Sequence, residues 1–161
     1  AEICALFDTV YISLYKNFNA ASGAILLGDK KFIAGLYHER RMFGGGMPQM
    51  WPFATIALHY SRGFLSDYIS ALKVFKNFSQ ILENSGKFNV KIFKDGTNVF
   101  FLKPVIPVSF FADFSKKLFK MNIHIPPADN IKKGFFLKIN TTLNRIKPLE
   151  LAEKFVRAVS F

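Results

Sequence analysis

The sequence has one cysteine, Cys4, among 161 residues. A disulfide within the chain is therefore excluded, and we expect a reducing compartment such as the cytoplasm. Charged residues or histidine interrupt each apolar run well before the roughly 20 residues that a membrane-spanning helix needs. No charged-then-apolar leader opens the sequence, so we predict neither a transmembrane segment nor a signal peptide.

Acidic residues are scarce, since 11 Asp and Glu stand against 22 Lys and Arg and give a net charge of +11. Such a balance permits binding to nucleic acid through phosphate attraction. The basic residues are spread along the chain without a long basic run, and no compact nucleic-acid recognition motif is present. A basic nucleic-acid-binding domain is therefore the least favoured of the functions considered.

Metal-binding patterns are also missing from the sequence. The three histidines, His38, His59 and His124, each stand alone, without a carboxylate, cysteine or second histidine at ligand spacing. We predict no structural metal.

The segment from Val10 to Gly28 organises the rest of the sequence. Val10–Leu14 is apolar and β-branched, as in a buried strand, and Ala24–Leu27 predicts a second strand. A turn of small and polar residues separates them and follows Lys16. This lysine is either an ordinary residue at a strand end, or lies in a partly dry site where desolvation favours the neutral, nucleophilic amine. The spacing alone leaves both interpretations open.

Helical patterns and a glycine triplet follow this segment. Apolar residues at spacings of three and four predict a helix over 30–43, which Gly44–Gly46 ends. Trp51–Tyr60 predicts a largely buried helix, and Phe64–Asn84 predicts another, long and amphipathic. Glycine amides can approach an anion closely, and Arg40 and Arg41 just before the triplet favour a nearby phosphate or carboxylate.

The last third of the chain predicts a small α+β unit with an antiparallel sheet. Asp95-Gly96 is a hairpin signal between two strands, and a third strand and two helices follow. The predicted strands are 89–94, 99–102 and 134–139, and the predicted helices are 110–121 and 148–161.

Several motifs together resemble the threonine aldolase / aromatic amino acid β-eliminating lyase family. They are Phe7–Lys16, Gly23–Gly28 and Arg41–Met47. Asp95–Phe101 is similar to the family's small-domain hairpin, and Leu149–Glu153 is similar to part of its final helix. The resemblance covers essentially the whole chain, but only the C-terminal half of a family member.

The resemblance implies a pyridoxal-phosphate-dependent enzyme of the aspartate-aminotransferase-like fold, with α/β and α+β parts. Residues 1–62 would form the C-terminal part of the large cofactor-binding domain. Residues 63–86 would form a long connecting helix, and 87–161 the small α+β domain with an antiparallel sheet. The implied activity is that of a lyase acting on amino acids, by threonine aldolase-like carbon–carbon cleavage or by β-elimination, in a homo-oligomeric parent protein.

Three residues receive roles from this resemblance. Lys16 matches the lysine that forms the internal aldimine with pyridoxal 5'-phosphate. Arg41 matches a basic residue that helps to bind the cofactor phosphate. Lys138 falls where family members carry an arginine that holds the substrate carboxylate, but a lysine cannot form the bidentate fork of a guanidinium group. Pro48 also stands where an arginine is common.

The resemblance further implies that the rest of the site lies upstream of the lysine, outside these 161 residues. The missing parts are the group that stacks on the cofactor ring, the aspartate that pairs with its nitrogen, and the main phosphate-binding loop. We therefore expect a C-terminal fragment that is inactive alone and whose partner is the N-terminal half of the same enzyme. The alternative is a non-catalytic remnant that acts as a structural or interaction partner.

Overall fold

The computed structural model describes residues 2–18, 20–94 and 96–160, without the side chain of Asn17. The chain divides into two compact units, residues 1–65 (unit 1) and residues 66–161 (unit 2). The division falls inside one long helix. The predicted division at residues 62 and 86 stays a prediction.

Unit 1 contains a two-stranded antiparallel sheet. Strand β1, Thr9–Ser13, pairs with β2, Ala24–Gly28, with Thr9 opposite Gly28 and Ser13 opposite Ala24. The two strands predicted from the apolar pattern are confirmed. A short 3-10 helix, Cys4–Leu6, precedes β1, and the single-turn helix α1, Leu14–Asn17, follows it.

Helix α2, Lys30–Met42, confirms the helix predicted over 30–43. Asp29 caps its first turn, because the Asp29 carboxylate accepts a hydrogen bond of 2.9 Å from the backbone N–H of Phe32. The helix ends at the glycine triplet, where Gly44 takes a φ of +75° that a residue with a side chain rarely adopts.

Helix α3, Trp51–Asn84, runs for 34 residues and corrects two expectations. The segments predicted as separate helices are one helix, since a single Gly63 inside it costs only about 1 kcal/mol relative to alanine. The expectation that Trp51–Tyr60 is largely buried was wrong. Trp51 is 71% exposed and Leu58 is 56% exposed, whereas Ala57 is buried. Most apolar residues of this segment are therefore not covered by the described residues.

Unit 2 holds a three-stranded antiparallel sheet in the order β3-β4-β5, and short 3-10 helices at Val108–Phe110 and Thr141–Arg145. Its elements match the predicted small α+β unit, although Asp95 of the predicted hairpin turn lies outside the described residues. The strands are β3, Phe88–Ile92, β4, Val99–Pro104, and β5, Phe135–Lys138, and the helices are α4, Phe111–Lys120, and α5, Pro148–Ala158.

One hydrophobic core fills unit 2. Phe114, on α4, is fully buried, and its ring centroid lies 5.5 Å from that of Phe135 on β5 and 6.0 Å from that of Phe155 on α5. Phe78 and Leu82 of α3 belong to the same cluster. The C-terminal half of α3 is thus the amphipathic helix that the sequence predicts, with one face on this core.

Among the residues that the structure describes, no helix is both long enough and apolar enough to cross a membrane.

Candidate functional site

Lys16 lies on α1, directly after β1, and its side chain is exposed. Only one side of β1 is covered, since Val10 and Ile12 are half-buried whereas Thr9 and Tyr11 are exposed. The expectation of a fully buried strand was therefore wrong. The partly dry setting proposed for a nucleophilic lysine is also not formed by the described residues.

The turn that carries Lys16 is nonetheless well anchored. The backbone N–H of Leu14 donates to the carbonyl of Gly23 at 3.0 Å, and that of Phe18 donates to the carbonyl of Leu14 at 3.0 Å. The ring of Phe18 contacts the ring of Phe64 edge-on at 5.0 Å. These contacts hold the backbone on both sides of Lys16, although Asn19, in the same predicted turn, lies outside the described residues.

Gly23 closes this turn in a conformation that disfavours other residues. Its φ is +106°, and a Cβ atom at this position would lie 3.4 Å from Cδ1 of Leu14. The backbone conformation at this position therefore favours glycine, which is consistent with the predicted strand–turn–strand.

An apolar cleft of about 570 Å³ lies beside the turn in unit 1. Its lining includes Ile12, Phe18, Met50 and Phe53, and Lys16 is not part of it. The cleft supplies apolar surface but no charged group, because Ser22 and Ser61 are the lining residues with polar side chains.

Arg41 is exposed on the last turn of α2. Its Nη1 donates a hydrogen bond of 3.1 Å to the hydroxyl oxygen of Tyr37, and its guanidinium carbon lies 5.7 Å from the centroid of the same ring. Tyr37 thus orients the cation. The sequence reasoning assigned no such partner, although the spacing of four residues on a helix could have indicated it.

Backbone amides of the glycine triplet form hydrogen bonds that end α2. The N–H of Gly44 donates to the carbonyl of Arg41 at 3.1 Å, and the N–H of Gly45 donates to the carbonyl of Arg40 at 2.7 Å. The expectation that these amides approach an anion is therefore not met for two of the three glycines. Arg40 and Arg41 remain as the cations of this segment.

Lys138 is the last residue of β5, in unit 2, and lies opposite Val99 of β4. Its side chain is exposed. Lys16 and Arg41 both belong to unit 1, and no hydrogen bond joins them among the described residues. The third predicted site residue belongs to the other unit.

No group of three or more His, Cys, Asp or Glu side chains in the described part of the chain is arranged to hold a metal ion. Cys4 is a free, exposed thiol.

Residues 1–69 match the family model of the beta-eliminating lyases. The resemblance to this family is thereby confirmed. The matched residues include the whole of the Lys16 turn, α2 and the glycine triplet.

Curated relatives align with short segments of the chain. A low-specificity L-threonine aldolase of Candida albicans is 38% identical over 58 residues, which is 36% of this chain and 16% of the relative. The alanine racemase TOXG of Cochliobolus carbonum is 46% identical over 48 residues, 30% of this chain and 12% of the relative. The aligned segments therefore cover less than a fifth of each relative.

The fold is also found in a solved structure. A provisionally named aromatic amino acid beta-eliminating lyase/threonine aldolase from Exiguobacterium sp. 255-15 superposes with a TM-score of 0.73 at 19% identity. The superposition covers 98% of this chain and 46% of that one. Both units thus have the mixed α/β fold of this neighbour, as predicted, and the chain spans about half of its length.

Proposed function

We propose that this chain is the C-terminal part of a pyridoxal-phosphate-dependent lyase that acts on amino acids. The reaction is carbon–carbon cleavage, as in threonine aldolases, or β-elimination. The observation that carries the proposal is the match of residues 1–69 to the beta-eliminating lyase family, in a segment that contains Lys16 and Arg41. The names of the threonine aldolase relatives support the same class of reaction.

The residues present fit two groups of the cofactor. Lys16 offers a primary amine suited to the cofactor aldehyde, and Arg41 offers a guanidinium suited to a phosphate. Neither side chain has a carboxylate partner among the described residues, so both charges are free for a ligand. When bound, pyridoxal phosphate accepts the electron pair left at the carbon next to the substrate amino group.

In this proposal Lys16 has two tasks. Its Nζ would hold the cofactor covalently, and the same amine would move a proton to or from the substrate carbon next to the amino group. The hydrogen bond between Leu14 and Gly23 supports both tasks, because it fixes the backbone that carries the amine.

Arg41 and Lys138 would bind and orient the cofactor and the substrate, respectively. Arg41, whose guanidinium donates a hydrogen bond to Tyr37, would bind the cofactor phosphate, and Lys138 would bind the substrate carboxylate. A lysine gives one point charge where a guanidinium gives two parallel hydrogen bonds. We therefore expect weaker orientation of the substrate than an arginine at position 138 would provide.

The 161 residues are inactive alone in this proposal. The side chain of Lys16 is exposed, whereas covalent catalysis by an amine needs a dry site that favours the neutral form. The partner that dries the site is the remaining, N-terminal half of the same enzyme, in a homo-oligomer. The uncovered apolar residues of β2 and α3 are the surface that this half would cover.

The test is chemical labelling of the full-length parent protein. After loading with pyridoxal 5'-phosphate and reduction with borohydride, peptide mass spectrometry is expected to find the label on Lys16. The Lys16→Ala variant should lose both the label and the visible absorption of the bound cofactor, whereas Lys30→Ala should keep both. A label on another lysine in the wild-type parent would refute the assignment.

An interaction role without catalysis is the second candidate function. The exposure of Ile25, Leu26 and Leu27 on β2 favours it, because such a surface requires a partner whether or not the assembly is an enzyme. An assembled parent protein that binds no cofactor at Lys16 would support this second function over the first.

A further inference from the structure

A second cleft, of about 640 Å³, lies within unit 2. It is bounded by β5, by the segment Met121–Pro126, and by α5 with the 3-10 helix before it. Its floor reaches the hydrophobic core, since Phe78, Leu151 and Phe155 line it and are each at most 6% exposed. We call it the unit 2 cleft. Its volume is within the range of about 300–1,000 Å³ that small-molecule sites occupy.

The rim of the unit 2 cleft is cationic. Lys138, Arg145 and Lys154 line it, and no aspartate or glutamate is among its lining residues. Lys154 pairs with Glu150 at 3.2 Å, but this pair is a solvent-accessible contact between neighbouring turns of α5, which an incoming anion can replace at little cost. Arg145 has no acidic partner among the described residues, so its guanidinium is free to bind an anion.

We propose that the unit 2 cleft binds an apolar carboxylate, such as a medium-chain fatty acid. The apolar tail lies over the phenylalanine and leucine floor, where burial of its surface drives binding. The carboxylate lies at the rim, where Arg145 and Lys154 supply the opposite charge and Arg145 can form a bidentate contact. Lys138, on the same rim, already has a role in the proposed lyase, so this inference rests on Arg145 and Lys154, which have none there.

The experiment is a calorimetric titration of the full chain with decanoate below its micelle concentration, with decylamine as a probe of equal length and opposite charge. Decanoate is expected to bind at one site and decylamine to bind at least tenfold more weakly. The double variant Arg145→Gln/Lys154→Gln should weaken decanoate binding at least tenfold, because it removes the charges at the rim.

The matched control is Lys147→Gln/Arg157→Gln, which removes two positive charges beside and on α5 that do not line the cleft. Its affinity for decanoate is expected to stay within twofold of wild type. Lys138 is unchanged in both variants, so the outcome does not depend on its proposed role in the lyase. Arg145 is exposed and Lys154 is half-buried, so both variants should keep the circular dichroism of the wild type.

Trp51, the only tryptophan, reports on the other apolar surface of the chain, since it is exposed in unit 1 and does not line the unit 2 cleft. Its fluorescence should stay constant through the decanoate titration. Equal binding of decylamine, or unchanged affinity in the Arg145→Gln/Lys154→Gln variant, would overturn the proposal. A saturable change of the Trp51 signal with the same midpoint would place the binding in unit 1 and would also overturn it.

Discussion

The two units bury apolar residues to very different extents. The hydrophobic core cluster, which includes Phe114, Phe135 and Phe155, lies entirely in unit 2. Among the described residues of unit 1 the buried apolar ones are the small Ala20 and Ala57, while large side chains on each of its helices and strands are exposed. The chain thus contains one unit with a covered hydrophobic core and one whose large apolar side chains are mostly exposed, although both have the fold of the same neighbour.

The difference shows which part of the fold depends on residues elsewhere. A two-stranded sheet is marginally stable in water on its own, and β1 and β2 have no third strand among the described residues. Unit 2 has three strands, with helices α4 and α5 contributing to one core. Unit 1 carries the candidate lyase residues Lys16 and Arg41, so the proposed chemistry depends on the unit with the smaller hydrophobic core.

The largest expected effect is on the stability of unit 2. Phe114→Ala removes a fully buried ring that packs on three other rings and leaves a cavity, so we expect unit 2 to lose about 3–5 kcal/mol of unfolding free energy. Phe119→Ala, five residues further along α4 and 61% exposed, is the control and should change stability far less. Denaturant titration by circular dichroism measures both. Equal losses in the two variants would contradict the buried core that the structure gives to unit 2.

Two glycine-to-alanine substitutions should change the free energy of unfolding in opposite directions. In unit 2, a Cβ on Gly134 would collide with the ring of Phe101 and lie 2.9 Å from the carbonyl oxygen of Leu102. Gly134→Ala should therefore destabilise by about 1–3 kcal/mol through overpacking. In unit 1, a Cβ on Gly35 of α2 would meet no atom within 4 Å.

Gly35→Ala should stabilise α2 by about 1 kcal/mol through helix propensity, which corresponds to roughly fivefold slower amide exchange in that helix. Denaturant midpoints and amide exchange measure the pair. A destabilising Gly35→Ala would mean that α2 is packed more tightly than its exposed surface indicates, which would weaken the comparison.

The sequence predicted the local elements well, because their signals are local. The glycine triplet from Gly44 ends α2 as expected, and Pro148 lies in the first turn of α5. The errors concern burial. The apolar pattern of Trp51–Tyr60 predicts a buried helix, but burial depends on a covering layer, and the described residues do not supply one. A pattern in one segment cannot reveal whether its partner is in the same chain.

The sequence could predict which residues belong to the candidate site but not how they are arranged in space. The strand, turn and glycine triplet around Lys16 and Arg41 carry the family resemblance, which the comparisons confirm. The exposure of Lys16 and the use of the Gly44 and Gly45 amides within the chain could not be predicted, since both depend on three-dimensional contacts. The cationic rim formed by Lys138, Arg145 and Lys154 is likewise a product of tertiary structure.

The central claim is that unit 2 is a self-sufficient domain whereas unit 1 requires further protein to become stable. Hydrogen exchange of the 161-residue chain, followed by mass spectrometry, tests it most directly. We expect β3, β4, α4 and α5 to exchange only by global unfolding of unit 2, and β1 and β2 to exchange orders of magnitude faster through local opening. Protection of β1 and β2 equal to that of β3 and β4 would contradict the account.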